Sequence, residues 1–195
     1  ATTALEGHRK AKELNQAAIN IADVGTGSGI VAVCAAKHLP RASVTAIDIS
    51  DAALAIAREN AATHQVDSRI EFIHGDLLAE LPPDASFDFI LSNPPYVSDE
   101  EFESLDRDVR EHEPKLALTA GPRGTEVIDR LIAQAAKRLQ PGGYLIMEIS
   151  PMIAGDVLQL VREQGRYEEP ESIRDMNRQA RVVVAQGRGE TDASH

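Results

Sequence analysis

The chain has 195 residues, a length that suits one domain with a buried core. Its 43% hydrophobic and 26% charged residues are ordinary globular values, and no apolar run approaches the roughly 18 residues that a membrane-spanning helix needs. The net charge of -11, without a cluster of Lys or Arg, argues against tight, non-specific nucleic-acid binding, and the lack of a long apolar run argues against a membrane partner. No signal-peptide pattern opens the sequence, so we expect a cytoplasmic protein, acting as a monomer.

The two ends of the chain differ from its centre. A weak apolar stripe predicts a helix over residues 1–18, and a polar composition predicts a disordered tail over residues 187–195. No repeat or linker divides residues 1–186, which we interpret as a single domain. The only cysteine, Cys34, has apolar neighbours that predict a buried helical position. The six histidines are scattered without ligand-like spacing, so no metal site is predicted.

A glycine-rich loop follows the first predicted strand, residues 19–24, and precedes an apolar helix over residues 30–38. The loop consists of Gly25, Thr26, Gly27, Ser28 and Gly29. Glycines permit a tight turn and close approach of a ligand to the backbone, while the helix N-terminus offers N–H groups. The spacing G-x-G-x-G differs from the G-x-G-x-x-G of dinucleotide-binding folds, which disfavours a nicotinamide cofactor.

Acidic residues follow the next two predicted strands. The strand over residues 44–48 ends at Asp48, roughly 20 residues after the loop, where an acid hydrogen-bonds a ribose hydroxyl in related folds. Capping of the next helix is the alternative role, but Asp51 can do this and leave Asp48 for a ligand. A strand over residues 70–74 precedes Asp76. Because parallel strands share an edge at their carboxyl ends, these acids are expected to lie near the glycine loop.

The fourth predicted strand, residues 87–92, runs directly into the tetrapeptide Asn93-Pro94-Pro95-Tyr96. The prolines end the strand because they cannot donate ladder hydrogen bonds. The Asn93 side-chain oxygen and the Pro94 carbonyl are two acceptors that suit an NH2 group, and Tyr96 adds an aromatic face for a planar amide or base. A Pro-Pro turn in which Asn93 only caps the strand is the alternative.

The charged stretch over residues 97–122 predicts an exposed lid, with a solvated charged helix as the alternative. The later elements are a helix over 125–139, a strand over 144–149, a helix over 153–163 and strands over 167–173 and 180–185. The last two strands, joined through residues 175–179, predict an antiparallel hairpin. The alternation of strands and helices predicts an α/β fold with a doubly wound, mostly parallel seven-stranded sheet.

With the glycine loop, the strand-end acids and the Asn-Pro-Pro-Tyr tetrapeptide, residues 19–186 resemble class I methyltransferases, a Rossmann-like superfamily that uses S-adenosylmethionine. The tetrapeptide marks members that methylate a planar NH2 group of adenine, cytosine or a glutamine side chain. Three further stretches resemble the bacterial peptide-chain release factor glutamine N5-methyltransferases (the HemK/PrmC family). These stretches are Val109-Arg110-Glu111-His112-Glu113-Pro114, Pro141-Gly142-Gly143 and Arg178-Gln179-Ala180-Arg181-Val182.

The resemblance implies S-adenosyl-L-methionine as cofactor, S-adenosyl-L-homocysteine as product and a release factor as the protein substrate. The cofactor-binding residues that it implies are Asp23, Gly25, Thr26, Gly27, Ser28, Gly29, Asp48, Ile49, Asp76, Leu77 and Asn93. The catalytic residues that it implies are Asn93, Pro94, Pro95 and Tyr96. An amide nitrogen is a poor nucleophile, so positioning by these residues must account for much of the rate.

Some features depart from the family pattern. Members usually carry a helical N-terminal domain and a Pro-Arg-Pro-Glu-Thr segment, and neither precedes Ile21 here. We therefore expect a truncated relative, in which docking of the protein substrate is affected more than cofactor binding. The stretch Ile149-Ser150-Pro151-Met152 replaces a glycine- and glutamine-containing turn of relatives.

Three other functions stay open from the sequence. A ribosomal-protein glutamine methyltransferase shares part of the same pattern, and an adenine-N6 methyltransferase would flip its base onto Tyr96, although the acidic charge disfavours it. A non-catalytic binding subunit would keep the fold without the chemistry, and the intact motifs disfavour that reading.

Overall fold

The computed structural model describes residues 18–96, 121 and 124–188. Its strands and helices in chain order are β1 (Ile19–Val24), α1 (Ile30–His38), β2 (Ala42–Asp48), α2 (Asp51–Thr63), β3 (Ile70–His74), β4 (Phe87–Ser92), α3 (Glu126–Ala135), β5 (Leu139–Glu148), α4 (Ala154–Gln164), β6 (Glu171–Arg174) and β7 (Ala180–Gln186). Single 3-10 turns lie at Asp67–Arg69 and Pro151–Ile153. None of the helices in these ranges is long and apolar enough to cross a bilayer. The predicted N-terminal helix and lid lie outside the described residues except for Ala18 and Gly121.

The strands form one seven-stranded sheet in the order β3-β2-β1-β4-β5-β7-β6. Strand β2 pairs in parallel with both β1 and β3. Strand β7 pairs antiparallel with both β5 and β6. The predicted α/β fold and its C-terminal antiparallel hairpin are confirmed.

The chain divides into two compact units, Ala1–Phe89 and Ile90–His195. In the first unit, α1 packs against β2 and α2 against β3. Small side chains at the contacts, among them Ala36, Ala46 and Ala57, are fully buried and allow the helices to approach the strands closely. The parallel register of β1, β2 and β3 brings their carboxyl ends to one edge of this unit.

The second unit has a core of larger aliphatic residues. Helices α3 and α4 pack against each other, and α4 also packs against β7. The fully buried side chains include Ile128, Leu131, Leu145, Met147 and Val157. Helix α3 shows the amphipathic spacing of its sequence, since Ile128, Leu131, Ile132 and Ala135 are its buried residues.

Several predicted boundaries were wrong. Strand β2 begins at Ala42, two residues before the predicted start at residue 44. Helix α3 ends at Ala135 instead of the predicted residue 139. The segment Pro141-Gly142-Gly143, predicted to stop that helix, lies inside β5. It is held there because Gly142 donates its N–H to the Gly187 carbonyl at 3.2 Å and Gly187 donates to the Gly143 carbonyl at 2.8 Å. The chain is therefore still paired at Gly187, which the sequence placed in a disordered tail.

The predicted burial of Cys34 was also wrong, because this side chain is exposed. Helix α1 turns Ala32, Val33 and Ala36 toward the interior and leaves Ile30 69% exposed on the other side. Nearly all residues of this helix are apolar, so the sequence shows no polar face from which the exposed side could be inferred.

The buried hydroxyl of Tyr167 provides a test of the second unit. It donates a hydrogen bond to the Ile132 carbonyl at 2.7 Å, and burial raises the pKa of the phenol. Ile132 also accepts the Ala136 N–H, so loss of the hydroxyl leaves that carbonyl with one partner. We expect Tyr167→Phe to lower the free energy of unfolding by about 1 kcal/mol in urea denaturation. The neighbouring surface control Glu168→Gln should change it by less than about 0.5 kcal/mol; equal values for both variants would contradict the assignment.

Candidate functional site

The glycine loop after β1 has three residues in the left-handed conformation. Gly25, Gly27 and Gly29 have φ values of 69°, 56° and 81°. A Cβ atom on Gly25 or Gly27 would meet nothing within 4 Å, whereas one on Gly29 would lie 2.9 Å from the Cβ of Ala57. The first two glycines therefore leave the backbone open to a ligand, and the third allows α2 to approach the loop.

Asp23 lies in β1 beneath this loop and is only 3% exposed. Its Oδ2 accepts the Thr26 hydroxyl at 2.6 Å and the Ala32 N–H at 3.0 Å. Desolvation raises the pKa of Asp23 to about 6, against the lowering effect of these two bonds, and the charge of Asp48 raises it further. Its predicted contact with a cofactor stays a prediction; the structure shows a carboxylate that ties the loop to the first turn of α1.

Asp48, at the end of β2, supports the loop from a second side. Its Oδ2 accepts the Gly27 N–H at 2.8 Å, and its Oδ1 accepts the Ser50 N–H at 2.9 Å. A carboxylate has about four acceptor positions, so Asp48 can accept further hydrogen bonds from a ligand hydroxyl. The predicted cap was wrong: Ser50, which is extended, caps α2 by accepting the Ala53 N–H at 3.2 Å, and Asp51 is the first helical residue.

The end of β3 lies beside the end of β2. Gly75 donates its N–H to the Asp48 carbonyl at 3.0 Å, and His74 donates from Nε2 to the Ile49 carbonyl at 2.9 Å. The side chain of Ile49 is 53% exposed, and Asp76 and Leu77 are half-buried. These residues and the glycine loop thus lie at one edge of the first unit, as the sequence predicted.

Two residues of α2 that support the loop were missed by the sequence analysis. The Asn60 side-chain NH2 donates to the Ser28 carbonyl at 2.9 Å, and Ala57 packs against Gly29. Both belong to an alanine-rich helix in which nothing in the local pattern distinguishes them. Only the tertiary approach of α2 to the loop identifies them.

The tetrapeptide Asn93-Pro94-Pro95-Tyr96 lies in the second unit, directly after β4. Asn93 is exposed, Pro94 is buried, and Pro95 and Tyr96 are half-buried. The two predicted roles of Asn93, acceptor for an NH2 group and cap of the strand end, both stay predictions. The assembly of this tetrapeptide with the glycine loop stays a prediction.

A cavity of about 390 Å³ in the first unit is a separate feature. Its walls include Asn20 and Thr45 on the strands and the chain from Leu81 to Phe87. None of the predicted site residues lines it, so it is not the predicted cofactor site. In the part of the chain that the structure describes, no three His, Cys, Asp or Glu side chains cluster as metal ligands would.

Comparisons with known proteins point to methyl transfer. A family model described as "Methyltransferase small domain" matches residues 10–110. The chain is 46% identical over 166 residues to the release factor glutamine methyltransferase of Rhodopirellula baltica, covering 85% of this chain and 56% of that protein. It is 42% identical over 164 residues to that of Koribacter versatilis, covering 84% and 57%. The chain therefore spans just over half the length of these curated relatives.

Solved structures share the fold. The ribosomal protein L11 methylase of Lactobacillus delbrueckii subsp. bulgaricus has a TM-score of 0.63 at 26% identity, covering 92% of this chain and 77% of that chain. A Thermus thermophilus 16S rRNA methyltransferase in complex with AdoMet and guanosine has a TM-score of 0.63 at 18% identity, covering 87% of this chain and 38% of that chain. The second likeness shows the fold alone.

The raised pKa of Asp23 predicts a pH-dependent stability. Because the folded-state pKa of about 6 lies above the ordinary 3.8, the protonated group favours the folded state below pH 3.8, and this contribution is lost as the pH rises through 6. Relative to wild type, Asp23→Asn should therefore gain stability between pH 4 and pH 7, by up to about 3 kcal/mol. Urea denaturation across this range measures the difference. Parallel profiles for wild type and Asp23→Asn would contradict the assignment, and Asp51→Asn, an exposed acid, is the control.

The bond from Asn60 to the loop predicts an effect on ligand affinity. Asn60→Ala frees the Ser28 carbonyl, and we expect the dissociation constant for S-adenosylmethionine to rise about fivefold, near the free energy of one hydrogen bond. Calorimetric titration measures this value, with Glu59→Ala on the same helix as the control. An unchanged affinity with a lower melting temperature would show that Asn60 only stabilises the fold.

Proposed function

The chain belongs to the methyltransferase small domain family, and we propose that it transfers a methyl group from S-adenosylmethionine to the side-chain nitrogen of a glutamine in a protein, the peptide-chain release factor. The observation that carries the proposal is the Asn-Pro-Pro-Tyr tetrapeptide directly after β4, with Asn93 exposed. The 38% to 46% identity to relatives named release factor glutamine methyltransferase supports the choice of a protein glutamine over a nucleic-acid base.

The first unit fits the methyl donor. The open space outside Gly25 and Gly27 lets the amino acid part of the cofactor lie against the loop backbone. Asp48 retains acceptor positions for ribose hydroxyls, and the exposed side chain of Ile49 offers apolar surface to a purine. Asp76 is an acceptor for an exocyclic NH2 group. When bound, S-adenosylmethionine supplies a methyl group activated by a positively charged sulfur.

The second unit holds the amide that receives this group. The lone pair of an amide nitrogen is delocalised into the carbonyl, so the nitrogen reacts only when it is well oriented. The Asn93 oxygen and the Pro94 carbonyl each accept a hydrogen bond from one of the two N–H groups of the substrate amide. These two bonds fix the orientation of the amide nitrogen. The same two oxygens stabilise positive charge that develops on the nitrogen.

The remaining residues of the tetrapeptide restrain the geometry. Pro94 is buried and both prolines have a fixed φ, so the acceptors cost little reorganisation when the amide arrives. Tyr96 offers a flat aromatic face against which the planar amide stacks. The new N–CH3 bond would form as the S–CH3 bond breaks, with S-adenosylhomocysteine as the leaving group, and the methylated nitrogen would then lose one proton to solvent water, since no side chain is assigned as the base.

The identity of the substrate is tested by parallel labelling reactions. Labelled S-adenosylmethionine is incubated with the chain and with release factor, ribosomal protein or DNA in separate reactions. Label in release factor, at a glutamine, is the expected outcome. Label only in ribosomal protein or in DNA would contradict the proposed substrate, and failure of the chain to bind S-adenosylmethionine would indicate a binding subunit instead of an enzyme.

Replacement of Asn93 separates chemistry from cofactor binding. We expect Asn93→Ala to keep much of its affinity for S-adenosylmethionine and to lose about 10²-fold or more in single-turnover transfer, the scale of one lost transition-state hydrogen bond. Asn20→Ala, an asparagine outside the site, is the control. A capping role predicts a lower melting temperature with normal transfer, and that result would exclude Asn93 from catalysis.

A further inference from the structure

The turn between β6 and β7 carries a completely exposed methionine. Met176 is fully exposed, and Ile173 in β6 is 54% exposed. Met152, in the 3-10 turn after β5, is 80% exposed. Large apolar side chains are rarely left so exposed without a role in binding when they occur together.

These three side chains belong to the same edge of the second unit. Strands β5 and β7 are antiparallel, with Glu148 opposite Val182, so the carboxyl end of β5 lies beside the start of β7. Ile149 donates its N–H to the Arg181 carbonyl at 2.9 Å, which extends this pairing toward the two turns. The turn that carries Met152 and the turn that carries Met176 therefore follow neighbouring strand ends.

The β6–β7 turn is held rigid by Asp175. Its Oδ1 accepts the N–H groups of Asn177 at 2.8 Å and Gln179 at 3.0 Å, and its own N–H donates to the Gln179 carbonyl at 2.8 Å. Arg181 contacts the other carboxylate oxygen at 3.4 Å. These bonds, that of Gln179 above all, lower the pKa of Asp175. Because the turn is already ordered, a partner that binds Met176 pays little entropy for ordering it.

The surroundings of Met176 are cationic, although the chain as a whole has a net charge of -11. Arg174 and Arg178 are exposed on either side of the turn, and the Arg174 guanidinium reaches the Arg178 carbonyl at 3.4 Å. Asp175, the acid of the turn, is engaged by the bonds just described. The exposed charges beside the turn are therefore positive, while Glu148, which lies across Val182 from Ile173, adds one exposed carboxylate on the β5 side.

We propose that Met152, Ile173 and Met176, with Arg174 and Arg178, form a docking surface for the protein substrate beyond the target glutamine. The inference rests on the proposed function, because the tetrapeptide holds only one amide group and a protein substrate must also be held elsewhere. The matching segment carries apolar side chains that pack on the methionines, which adapt to irregular partners, and acidic residues that face the two arginines.

Other occupants fit this surface less well. In a symmetric contact with a second copy of the chain, Arg174 and Arg178 would face the same two arginines of the other copy, and these like charges would repel. An RNA would meet the arginines but would leave three apolar side chains against phosphates, and the net charge of -11 repels it. The combination of exposed apolar side chains with two arginines that flank Met176 favours a polypeptide segment that carries apolar and acidic residues.

The test compares Met176→Gln, which keeps the length of the side chain and removes its apolar character, with wild type on two substrates. For intact release factor at saturating S-adenosylmethionine, we expect KM to rise about tenfold with kcat unchanged, the scale of one lost contact at an interface. For a short glutamine-containing peptide that reaches only the tetrapeptide, both constants should stay the same. Ile56→Gln, an equally apolar side chain that is 51% exposed in the first unit, is the matched control.

A direct binding titration of release factor keeps this inference separate from the proposed function. If wild type binds release factor, and Met176→Gln and Arg178→Glu both weaken binding, the docking surface is supported even where no methyl transfer is detected. Lack of transfer by wild type would overturn the proposed function. Equal affinity of wild type and Met176→Gln for release factor would overturn the docking surface. So would transfer RNA that competes with release factor, if its binding depended on Arg178 and not on Met176. Ile173→Thr, which retains a β-branched side chain in β6, gives a second variant of the same surface.

Discussion

Two carboxylates, those of Asp23 and Asp48, hold the glycine loop on which the first unit depends. Asp23 accepts hydrogen bonds from the Thr26 hydroxyl and the Ala32 N–H, and Asp48 accepts one from the Gly27 N–H. Glycine has more accessible backbone conformations than other residues. A glycine-rich loop is therefore ordered only when its N–H groups have fixed partners. The shape of the loop is thus imposed by carboxylates on β1 and at the end of β2.

The arrangement has an electrostatic cost. Asp23 is almost fully buried, and its charge and that of Asp48 oppose each other, which is why the pKa of Asp23 is raised to about 6. A buried carboxylate is tolerated because hydrogen bonds replace part of its lost hydration. Asp48 lies at the strand end, where it is half-buried. The same residue type therefore holds the loop from a buried position in β1 and from a half-buried position at the end of β2.

The second unit relies on rigidity of a different kind. The prolines after β4 restrict the backbone that carries the two acceptors, and Asp175 restricts the turn that displays Met176. Neutral acceptors suit the proposed amide substrate, because a strong base is not required to orient its two N–H groups. The proposed protein substrate needs contacts away from its reacting amide, and the exposed apolar turn with its two arginines offers the chemistry for them.

The sequence by itself determined the strand and helix order, the glycine loop, the acids at Asp48 and Asp76 and the Asn-Pro-Pro-Tyr tetrapeptide. These features are local: glycine spacing, proline positions and apolar runs depend on residues adjacent in the chain. The tertiary structure alone decided that Ser50 caps α2 and that Cys34 is exposed. It also decided that Pro141-Gly142-Gly143 lies inside β5, where Gly142 and Gly143 hydrogen-bond to Gly187. It also decided the support of the loop by Asn60 and Ala57. Each of these depends on which distant segment lies alongside, and a nearly all-apolar helix or an alanine-rich one carries no local pattern that identifies its neighbour.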